Sequence, residues 1–344
     1  MQLKKPYLSV IMPVYNAELY IEQAIRSILN QTFRDLELIC INDCSKDESL
    51  KIMLELSKED DRLLVIDSPE NLGAGQARNL GLAKAAGKYI TFMDADDKID
   101  SDLYRKAADI AENNDIDEVV WGLTEQHYDS NDKFIRSVPI APENKVANNK
   151  KDILDTILFL EDKTLFGYQW NSFYKASIIK ENGIQFEKSI FYEDFFFNLE
   201  YAKHIKSIST IDDTGYFYYK RVNGSITNSF TADYFDLSYR RIDEMLEFFK
   251  SNSYVDEKVC TVLGNRLLRY TLSALQRNCD KRSGMGYKDR KEWFLKTCQL
   301  PLYKELLNNS KISNPAYYIT AFVVKHKMAV VADLLGMVIR IIRK

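Results

Sequence analysis

Residues 88–97 have the sequence Lys-Tyr-Ile-Thr-Phe-Met-Asp-Ala-Asp-Asp. The apolar run 89–93 ends abruptly in Asp94, Asp96 and Asp97, which is typical of a buried strand with acidic side chains beyond its carboxyl end. In an open α/β sheet, ligands bind outside the carboxyl ends of the strands. Carboxylates grouped there repel one another unless a cation joins them. The stretch therefore predicts either a divalent-cation site or an acidic turn that caps the next helix.

Apolar runs alternate with helical patterns through the first part of the chain. The predicted strands are 8–12, 36–41, 63–66, 89–93 and 117–122. This alternation predicts an α/β fold with a mostly parallel sheet and helices on both of its faces. Because Pro13 cannot donate to a sheet ladder, we expect the first strand to end there. Residues 139–150 have the composition of a polar loop.

The pattern changes near residue 230. From about 233 onward it is helical to the end. We therefore expect a domain over 1–230, divided at 123, and a helical region over 231–344.

Composition excludes several classes of protein. Of 344 residues, 46% are hydrophobic and 28% charged, as in an ordinary soluble protein. A formal net charge of −3 gives no support to a nucleic-acid partner. Five cysteines without a CxxC spacing favour a reduced, cytosolic compartment. The Gly73-Ala74-Gly75 segment does not match a dinucleotide fingerprint, and no P-loop or GxSxG motif occurs in the sequence.

Several short motifs follow one another in a fixed order. They are Val10-Ile11-Met12-Pro13-Val14-Tyr15-Asn16, Ile41-Asn42-Asp43-Cys44-Ser45, Asn71-Leu72-Gly73 with Ala77-Arg78-Asn79, and Met93-Asp94-Ala95-Asp96-Asp97. In this order they resemble the nucleotide-binding half of family 2 glycosyltransferases with the GT-A fold, which is Rossmann-like. Trp170-Asn171, Glu193-Asp194 and the segment from Arg221 to Thr227 are similar to the bacterial polysaccharide branch of that family. The resemblance covers roughly residues 1–230.

The resemblance departs from the family pattern at Cys44, where glycine is frequent. The departure costs little unless that turn needs a positive φ.

The resemblance implies a UDP-sugar site in the first half of the domain, residues 1–123. The implied contacts are Pro13 and Tyr15 beside the base, Asp43 with the uracil N–H, Asn71 and Arg78 with the nucleoside, and Asp94 with the ribose. Arg221 and Ser225 would close over the phosphates, although a Lys-Arg pair at a strand end is often only a solvated rim.

The resemblance also implies the chemistry. Asp96 would bind Mg²⁺ or Mn²⁺ at the diphosphate, and Asp194 would be the general base of an inverting transfer. Trp170, Asn171 and Glu193 would bind the acceptor in the second half, 124–230. Without the resemblance, Asp194 could equally belong to an acidic helix start and Trp170 to the core.

The segment 321–344 ends the chain with a basic amphipathic pattern. It carries Lys325, Lys327, Arg340, Arg343 and Lys344 against a single acid, Asp333. The apolar stretch between Lys327 and Arg340 would span about 18 Å as a helix, which is too short to cross a bilayer. This pattern predicts an anchor on the membrane surface or, alternatively, a helix that docks on the protein or in a dimer.

The expected function is that of a metal-dependent, inverting glycosyltransferase. It would move a sugar from a UDP-sugar to a glycan acceptor, in some cases lipid-linked, in bacterial capsule or surface polysaccharide synthesis. The expected location is the cytoplasm, peripheral to the inner face of the cell membrane, and an oligomer is left open. The alternatives are a sugar-phosphate nucleotidyltransferase and a non-catalytic, membrane-associated glycan-binding protein.

Overall fold

In the computed structural model of the chain, residues 5–188, 191–221 and 230–342 are described. The chain divides into two compact units, Met1–Ser225 and Ile226–Lys344. The described part of the first unit combines helices with two sheets, whereas the described part of the second unit is helical.

The strands and helices of the first unit alternate through its first half. The strands are β1 (Leu8–Val14), β2 (Leu36–Asn42), β3 (Leu63–Asp67), β4 (Tyr89–Phe92), β5 (Lys98–Ile99), β6 (Glu118–Trp121), β7 (Leu123–Tyr128), β8 (Phe134–Ile140), β9 (Lys145–Ala147), β10 (Ser172–Lys175), β11 (Ile208–Ile211) and β12 (Tyr216–Lys220). The helices are α1 (Ile21–Leu29), α2 (Ser49–Leu56), α3 (Ala74–Lys84), α4 (Leu103–Asn114), α5 (Lys150–Asp162), α6 (Ala176–Glu181) and α7 (Glu193–Ala202).

The main sheet has the order β3-β2-β1-β4-β10-β6-β11-β9. Strands β3, β2, β1 and β4 are parallel, and so are β6 and β11, while β10 and β9 are antiparallel to their neighbours. Strands β1 and β4 are almost wholly buried, as expected for parallel strands covered on both faces. The predicted α/β fold with a mostly parallel sheet, followed by a helical region, is confirmed.

The first strand does not end at Pro13, and that prediction is wrong. Strand β1 continues to Val14, and Pro13 pairs with Ile41 of β2. The carbonyl of Ile11 accepts from Met93 on the β4 side, so the ring nitrogen of Pro13, two residues later, faces the same side. The paired register of β4 stops at Phe92. Pro13 therefore lies where no ladder partner needs an N–H.

The segment 139–150 is not a loop throughout. Its first residues complete β8, which belongs to a second sheet of order β5-β12-β7-β8, and β9 pairs with β11 at the edge of the main sheet. Most residues of β8 and β9 are exposed, so the segment lacks the apolar alternation that marks a half-buried strand. These strands form through backbone hydrogen bonds to β7 and β11, and the pattern of residue types does not reveal such bonds.

Helix α3 approaches the main sheet closely because of one glycine. A Cβ on Gly81 would lie 2.4 Å from Cγ2 of Ile11 and 3.0 Å from Cδ1 of Ile41. Contacts at these distances force side chains or backbone to move, so only glycine fits here. The close packing fixes the position of Arg78, one turn earlier on the same helix.

The second unit consists of helices in its described part. They are α8 (Tyr234–Ser251), α9 (Glu257–Asn278), α10 (Tyr287–Thr297), α11 (Pro301–Leu307), α12 (Pro315–Lys325) and α13 (Ala329–Ile342). Helix α9 is central, since α8, α11, α12 and α13 all pack against it. Among the described residues, none of the helices reaches the length and apolar character that crossing a bilayer requires.

The turn after β2 adopts a left-handed backbone at Cys44, where φ is 61°. The neighbouring loop after β1 is similar, with φ 49° at Asn16. The two loops are joined, because Ser45 Oγ accepts from the Asn16 amide and Asn16 Oδ1 accepts from the Lys46 amide. The turn does need a positive φ, so the replacement of glycine by Cys44 carries a conformational cost.

We predict that Cys44→Gly stabilises the protein by about 1 kcal/mol, because glycine adopts the left-handed region without the Cβ clash of other residues. Urea unfolding followed by circular dichroism measures the change. Cys44→Ala is the matched control, since it removes the thiol and keeps the Cβ. Equal stability of the two variants would contradict the prediction.

Candidate active site

The buried guanidinium of Arg78 joins the two acidic segments of the site. Its Nη2 lies 3.0 Å from Asp94 Oδ1, just beyond β4, and its Nη1 lies 3.1 Å from Asp194 Oδ1, at the start of α7. Glu193 is farther away, at 3.7 Å from Nη1. The side chain of Arg78 is only 5% exposed. The predicted donor and base residues are therefore held together by one cation.

Gln169 completes this network and was not predicted from the sequence. Its side chain is fully buried. With the amide oriented to satisfy both neighbours, its nitrogen donates to Asp194 Oδ2 at 2.7 Å and its oxygen accepts from Arg78 Nη2 at 2.7 Å. A lone glutamine carries no sequence pattern of its own. Its position directly before the Trp170-Asn171 pair was the only signal available.

Negative charge exceeds positive charge in this cluster. Burial raises the pKa of Asp194 well above its ordinary value, Arg78 opposes that rise, and Glu193 and Asp94 add to it. The pKa of Glu193 is raised in the same way, with burial as the main cause. A carboxylate whose pKa is moved toward neutrality is better matched to proton transfer near neutral pH.

Helix α7 starts in a strained turn. Tyr192, the residue before it, has a left-handed backbone with φ 65°. This turn places Glu193 and Asp194 in the first helical turn, where the helix dipole favours a negative charge. Such strain is often found beside functional groups, although it does not assign a function by itself.

Asp96 is the most exposed of the three acids after β4. Its carboxylate is 50% exposed and lies 3.5 Å from Nη1 of Arg221. Desolvation and the nearby Asp94 raise the pKa of Asp96 to about 6, while Arg221 lowers it. Arg221 itself lies 4.0 Å from the ring centroid of Tyr20 and 4.7 Å from that of Tyr219.

The oxygen ligands at this edge fit a hard divalent cation whose coordination shell is completed by oxygens of a bound substrate. Asp94 and Asp96 are both partly exposed carboxylates. Within the described parts of the chain, no group of three or more His, Cys, Asp or Glu residues could hold a metal by itself. Mg²⁺ commonly binds through one or two carboxylates together with substrate phosphates. The residues present match that mode of binding and not a closed protein cage.

Asp97 has a structural position. It is 1% exposed, its Oδ2 accepts from Tyr216 Oη at 2.8 Å, and its Oδ1 accepts from the Tyr219 amide at 3.0 Å. These bonds tie the end of β4 to β12. Asp97 is therefore turned away from the exposed edge that Asp96 occupies.

The residues predicted around the nucleoside occupy different environments. Asp43 is buried, and its oxygens accept from the amides of Leu72 (2.6 Å) and Gly73 (2.9 Å). Asn71 donates to the backbone oxygen of Asp43 at 3.1 Å, so the loop is closed onto β2. The nearby Tyr15 is about half exposed.

Other donor predictions differ in how they fit the structure. Pro13 is partly buried within β1. The nucleoside contact predicted for Arg78 does not fit its buried position among carboxylates. Ser225 lies outside the described residues.

The acceptor surface predicted at Trp170 and Asn171 does not fit the structure. Trp170 is 2% exposed and stacks on Tyr216 with 4.0 Å between ring centroids and on Tyr168 with 4.5 Å. Asn171 is fully buried and donates to the backbone oxygens of Trp121 and Leu165. Both side chains belong to the core, which was the alternative left open for Trp170. Of the predicted acceptor residues, only Glu193 lies beside Asp194.

We predict that Arg78→Met lowers the free energy of unfolding by about 3 kcal/mol near neutral pH, because it leaves the carboxylates at Asp94, Glu193 and Asp194 without their cation. Folding already raises the pKa of Asp194 and Glu193, so their ionisation destabilises the folded chain as pH rises above their ordinary values. Loss of Arg78 increases that effect. The variant should thus lose more stability at about pH 8 than at about pH 5.

Urea unfolding of both proteins at the two pH values measures this difference. Arg26→Met is the matched control, because Arg26 also pairs with two carboxylates but lies on the surface. Its stability should change little, since exposed pairs are screened by water. A loss in Arg78→Met that is equal at both pH values would contradict the charge argument.

Comparison with known proteins identifies the family and the fold of the chain. The family model for Glycosyl transferase family 2 matches residues 9–183, about half of the chain. A protein of Bacillus subtilis, called uncharacterized glycosyltransferase EpsJ, is 32% identical over 219 residues, which are 63% of this chain and 62% of that protein. Poly(ribitol-phosphate) beta-glucosyltransferase of Bacillus spizizenii is 32% identical over 223 residues, which are 63% of this chain and 33% of that protein. The chain thus spans less than two thirds of the length of both relatives.

A solved structure shows the same fold. Residues 1–349 of S. aureus TarS, crystallised in complex with UDP, match with a TM-score of 0.65 and 18% sequence identity, covering 97% of this chain and 91% of that chain. The GT-A-like architecture is confirmed by this likeness. Because the family model covers half of the chain, including Asp43 after β2 and Asp94 after β4, the chain belongs to glycosyl transferase family 2.

Proposed function

We propose that the protein is an inverting, metal-dependent glycosyltransferase that moves a sugar from a UDP-sugar to a hydroxyl group of a glycan. One observation carries the proposal. Arg78 holds Asp94, at the predicted donor site, and Asp194, the predicted base, within 3.1 Å of one guanidinium. An enzyme of this kind needs its donor site and its base at a fixed separation, since misplaced reactants lose most of the benefit of proximity.

The choice of a uridine nucleotide rests on the loops that follow β1 and β2. Tyr15 is exposed beside Pro13, and bonds to Asp43 hold the loop at 71–73 against the end of β2. TarS, which has this fold, was crystallised with UDP, and this supports the same class of nucleotide. In the proposal, Tyr15 and Pro13 flank the base and Asp94 binds ribose hydroxyls.

The diphosphate is placed at the exposed carboxylates after β4. Asp96, with Asp94 beside it, would hold Mg²⁺ or Mn²⁺ together with phosphate oxygens. A divalent cation bound there supplies positive charge that offsets the negative charge on the departing diphosphate. Arg221 lies 3.5 Å from Asp96 and can contribute a second positive charge at the phosphates.

Asp194 performs the proton transfer in this proposal. Its carboxylate takes the proton of the acceptor hydroxyl, the acceptor oxygen forms a bond to the anomeric carbon, and the bond to the UDP oxygen breaks. A single displacement of this kind inverts the configuration at the anomeric carbon. Arg78 and Gln169 orient the carboxylate, and burial raises its pKa toward the range in which a base works at neutral pH.

The acceptor is proposed to be a growing cell-surface polysaccharide, in some cases carried on a lipid at the cytoplasmic face of the membrane. The name of the Bacillus spizizenii relative includes both a polymeric acceptor and a β-linked product. A β product from an α-linked donor agrees with inversion. Of the acceptor residues predicted from the sequence, the proposal keeps Glu193, which lies next to Asp194.

The test is an assay of UDP release from a panel of UDP-sugars with oligosaccharide acceptors, with and without EDTA. We expect EDTA to abolish turnover. Asp194→Asn should lower kcat by about 10²–10⁴-fold while leaving the affinity for UDP unchanged, because a general base contributes about that much. Asp109→Asn, at an exposed acid on α4, is the control and should retain full activity.

Two results would overturn this mechanism: turnover that persists without a metal, or full activity in Asp194→Asn. Release of pyrophosphate from UTP and a sugar phosphate would instead identify a nucleotidyltransferase.

A separate prediction concerns the cation. Asp96→Asn should weaken the binding of UDP in the presence of Mn²⁺ by about tenfold or more, since it removes the charged oxygen ligand that such a cation prefers. Binding of UDP without metal should be much less affected. Calorimetric titration of both proteins, with Mn²⁺ and with EDTA, measures the difference. An equal loss under both conditions would show that Asp96 does not act through a metal.

A further inference from the structure

Helices α12 and α13 turn an apolar surface outward. On α12 the exposed side chains include Tyr318, Ile319 and Phe322. On α13 they are Val330, Leu334, Met337, Val338, Ile341 and Ile342, with exposed fractions from 38% at Met337 to 76% at Ile342. We call these nine residues the outer face. A continuous exposed apolar surface of this kind usually marks a site of interaction.

The spacing on α13 makes its part of the outer face one continuous stripe. Residues 330, 334, 337, 338 and 341 recur at intervals of three and four, which places them on one side of a helix. The opposite side carries the buried residues Ala329, Ala332, Asp333 and Gly336. Helix α13 is thus apolar on the side that faces away from the protein.

Packing within the second unit fixes this orientation. A Cβ on Gly336 would lie 2.6 Å from the backbone oxygen of Leu275, so α13 lies directly against α9. Asp333 is buried and pairs with Arg290 at 2.6 Å. Arg340 donates to the backbone oxygen of Cys279 at 2.6 Å. Turning the stripe inward would break all three contacts.

The unpaired charge within residues 315–342 has one sign. Lys325 and Lys327 are exposed where α12 passes into α13, and in the described part of the chain neither forms a salt bridge. Asp333 is the only acidic residue in 315–342, and Arg290 already neutralises it. The exposed surface therefore combines apolar side chains with unneutralised positive charge.

We propose that the outer face inserts into the headgroup region of an anionic lipid bilayer. Apolar and aromatic side chains would enter the acyl boundary, and the two lysines would meet lipid phosphates. A second copy of the chain fits less well, because its outer face offers no free carboxylate to Lys325 and Lys327: Asp333 is the only acidic residue in 315–342, and it pairs with Arg290. The proposal does not depend on the transferase activity.

The helix lies in the plane of the bilayer and does not cross it. Its 14 residues extend about 21 Å, short of the hydrocarbon thickness. This refines the anchor predicted for 321–344, since Arg340 is engaged with α9 and Tyr318 and Ile319 extend the surface. Arg343 and Lys344, which the sequence included, lie outside the described residues.

Flotation of the full chain with vesicles tests the proposal. We expect binding to vesicles with about 30 mol% phosphatidylglycerol in phosphatidylcholine, and weak binding to phosphatidylcholine alone. The double variant Leu334→Glu/Val338→Glu should raise the apparent Kd at least tenfold. The matched control is Leu54→Glu/Leu64→Glu, which changes two exposed leucines of the first unit and should bind as the wild type does.

The charge is tested separately. Lys325→Gln/Lys327→Gln should weaken binding by about fivefold per lysine, and salt at about 0.5 M should reduce wild-type binding. These surface changes leave the core intact, so near-UV circular dichroism should be unchanged.

Three results would overturn the proposal. They are absent flotation with the anionic vesicles, equal flotation of both leucine double variants, and equal binding to vesicles with and without phosphatidylglycerol. Sedimentation velocity tests whether a second copy of the chain occupies the outer face. A wild-type dimer without lipid that Leu334→Glu/Val338→Glu converts to a monomer would assign the outer face to a second copy instead. Failure of any of these tests leaves the proposed transferase assay unaffected.

Discussion

The ion pairs of Arg78 are the interaction on which the site depends. One nearly buried guanidinium contacts an acid that follows β4 and an acid that begins α7. The second acid, Asp194, lies 116 residues after Arg78 in the chain. A buried arginine is stable only when carboxylates compensate its desolvation, and the carboxylates are stable together only because the arginine lies between them. Gln169 adds a hydrogen bond to each partner of the Arg78–Asp194 ion pair. Arg78 therefore fixes the position of Asp94, in the first half of the domain, relative to Asp194, in the second half.

This arrangement leaves one set of acids inside and another outside. Asp194, Glu193 and Asp97 are held by protein groups, whereas Asp96 is half exposed and, among the described residues, pairs with Arg221. Charge that the protein does not neutralise can be neutralised by a ligand, which is why the exposed edge suits a cation and phosphates. Burial also raises the pKa of Asp194, and a carboxylate with a raised pKa is better matched to proton transfer near neutral pH. The same residue type thus acquires two kinds of chemistry from two environments.

Trp170 and Tyr216 in the second half are buried and contribute to structure rather than to a binding surface. Trp170 stacks on Tyr216, and Tyr216 donates to Asp97, so β12 is tied to the segment before β10 by a ring stack and to the end of β4 by a hydrogen bond. Tyrosine and tryptophan suit such positions because they combine large apolar area with one polar atom. The sequence could not distinguish a core position of Trp170 from an acceptor-binding position, because a short aromatic motif has the same composition in both.

The sequence by itself determined the fold class, the parallel strands and the acids at their ends, because apolar periodicity and strand-ending aspartates are local signals. It also identified the family, since several ordered motifs rarely coincide by chance. Only the tertiary structure decided which acids are buried, that Arg78 lies between them, and that Gln169 hydrogen-bonds within the same cluster. It likewise showed β8 and β9, whose exposed residues carry no alternation, and the left-handed turn at Cys44. Burial, pairing and backbone angle arise from contacts between distant segments, and a local pattern of residue types does not contain them.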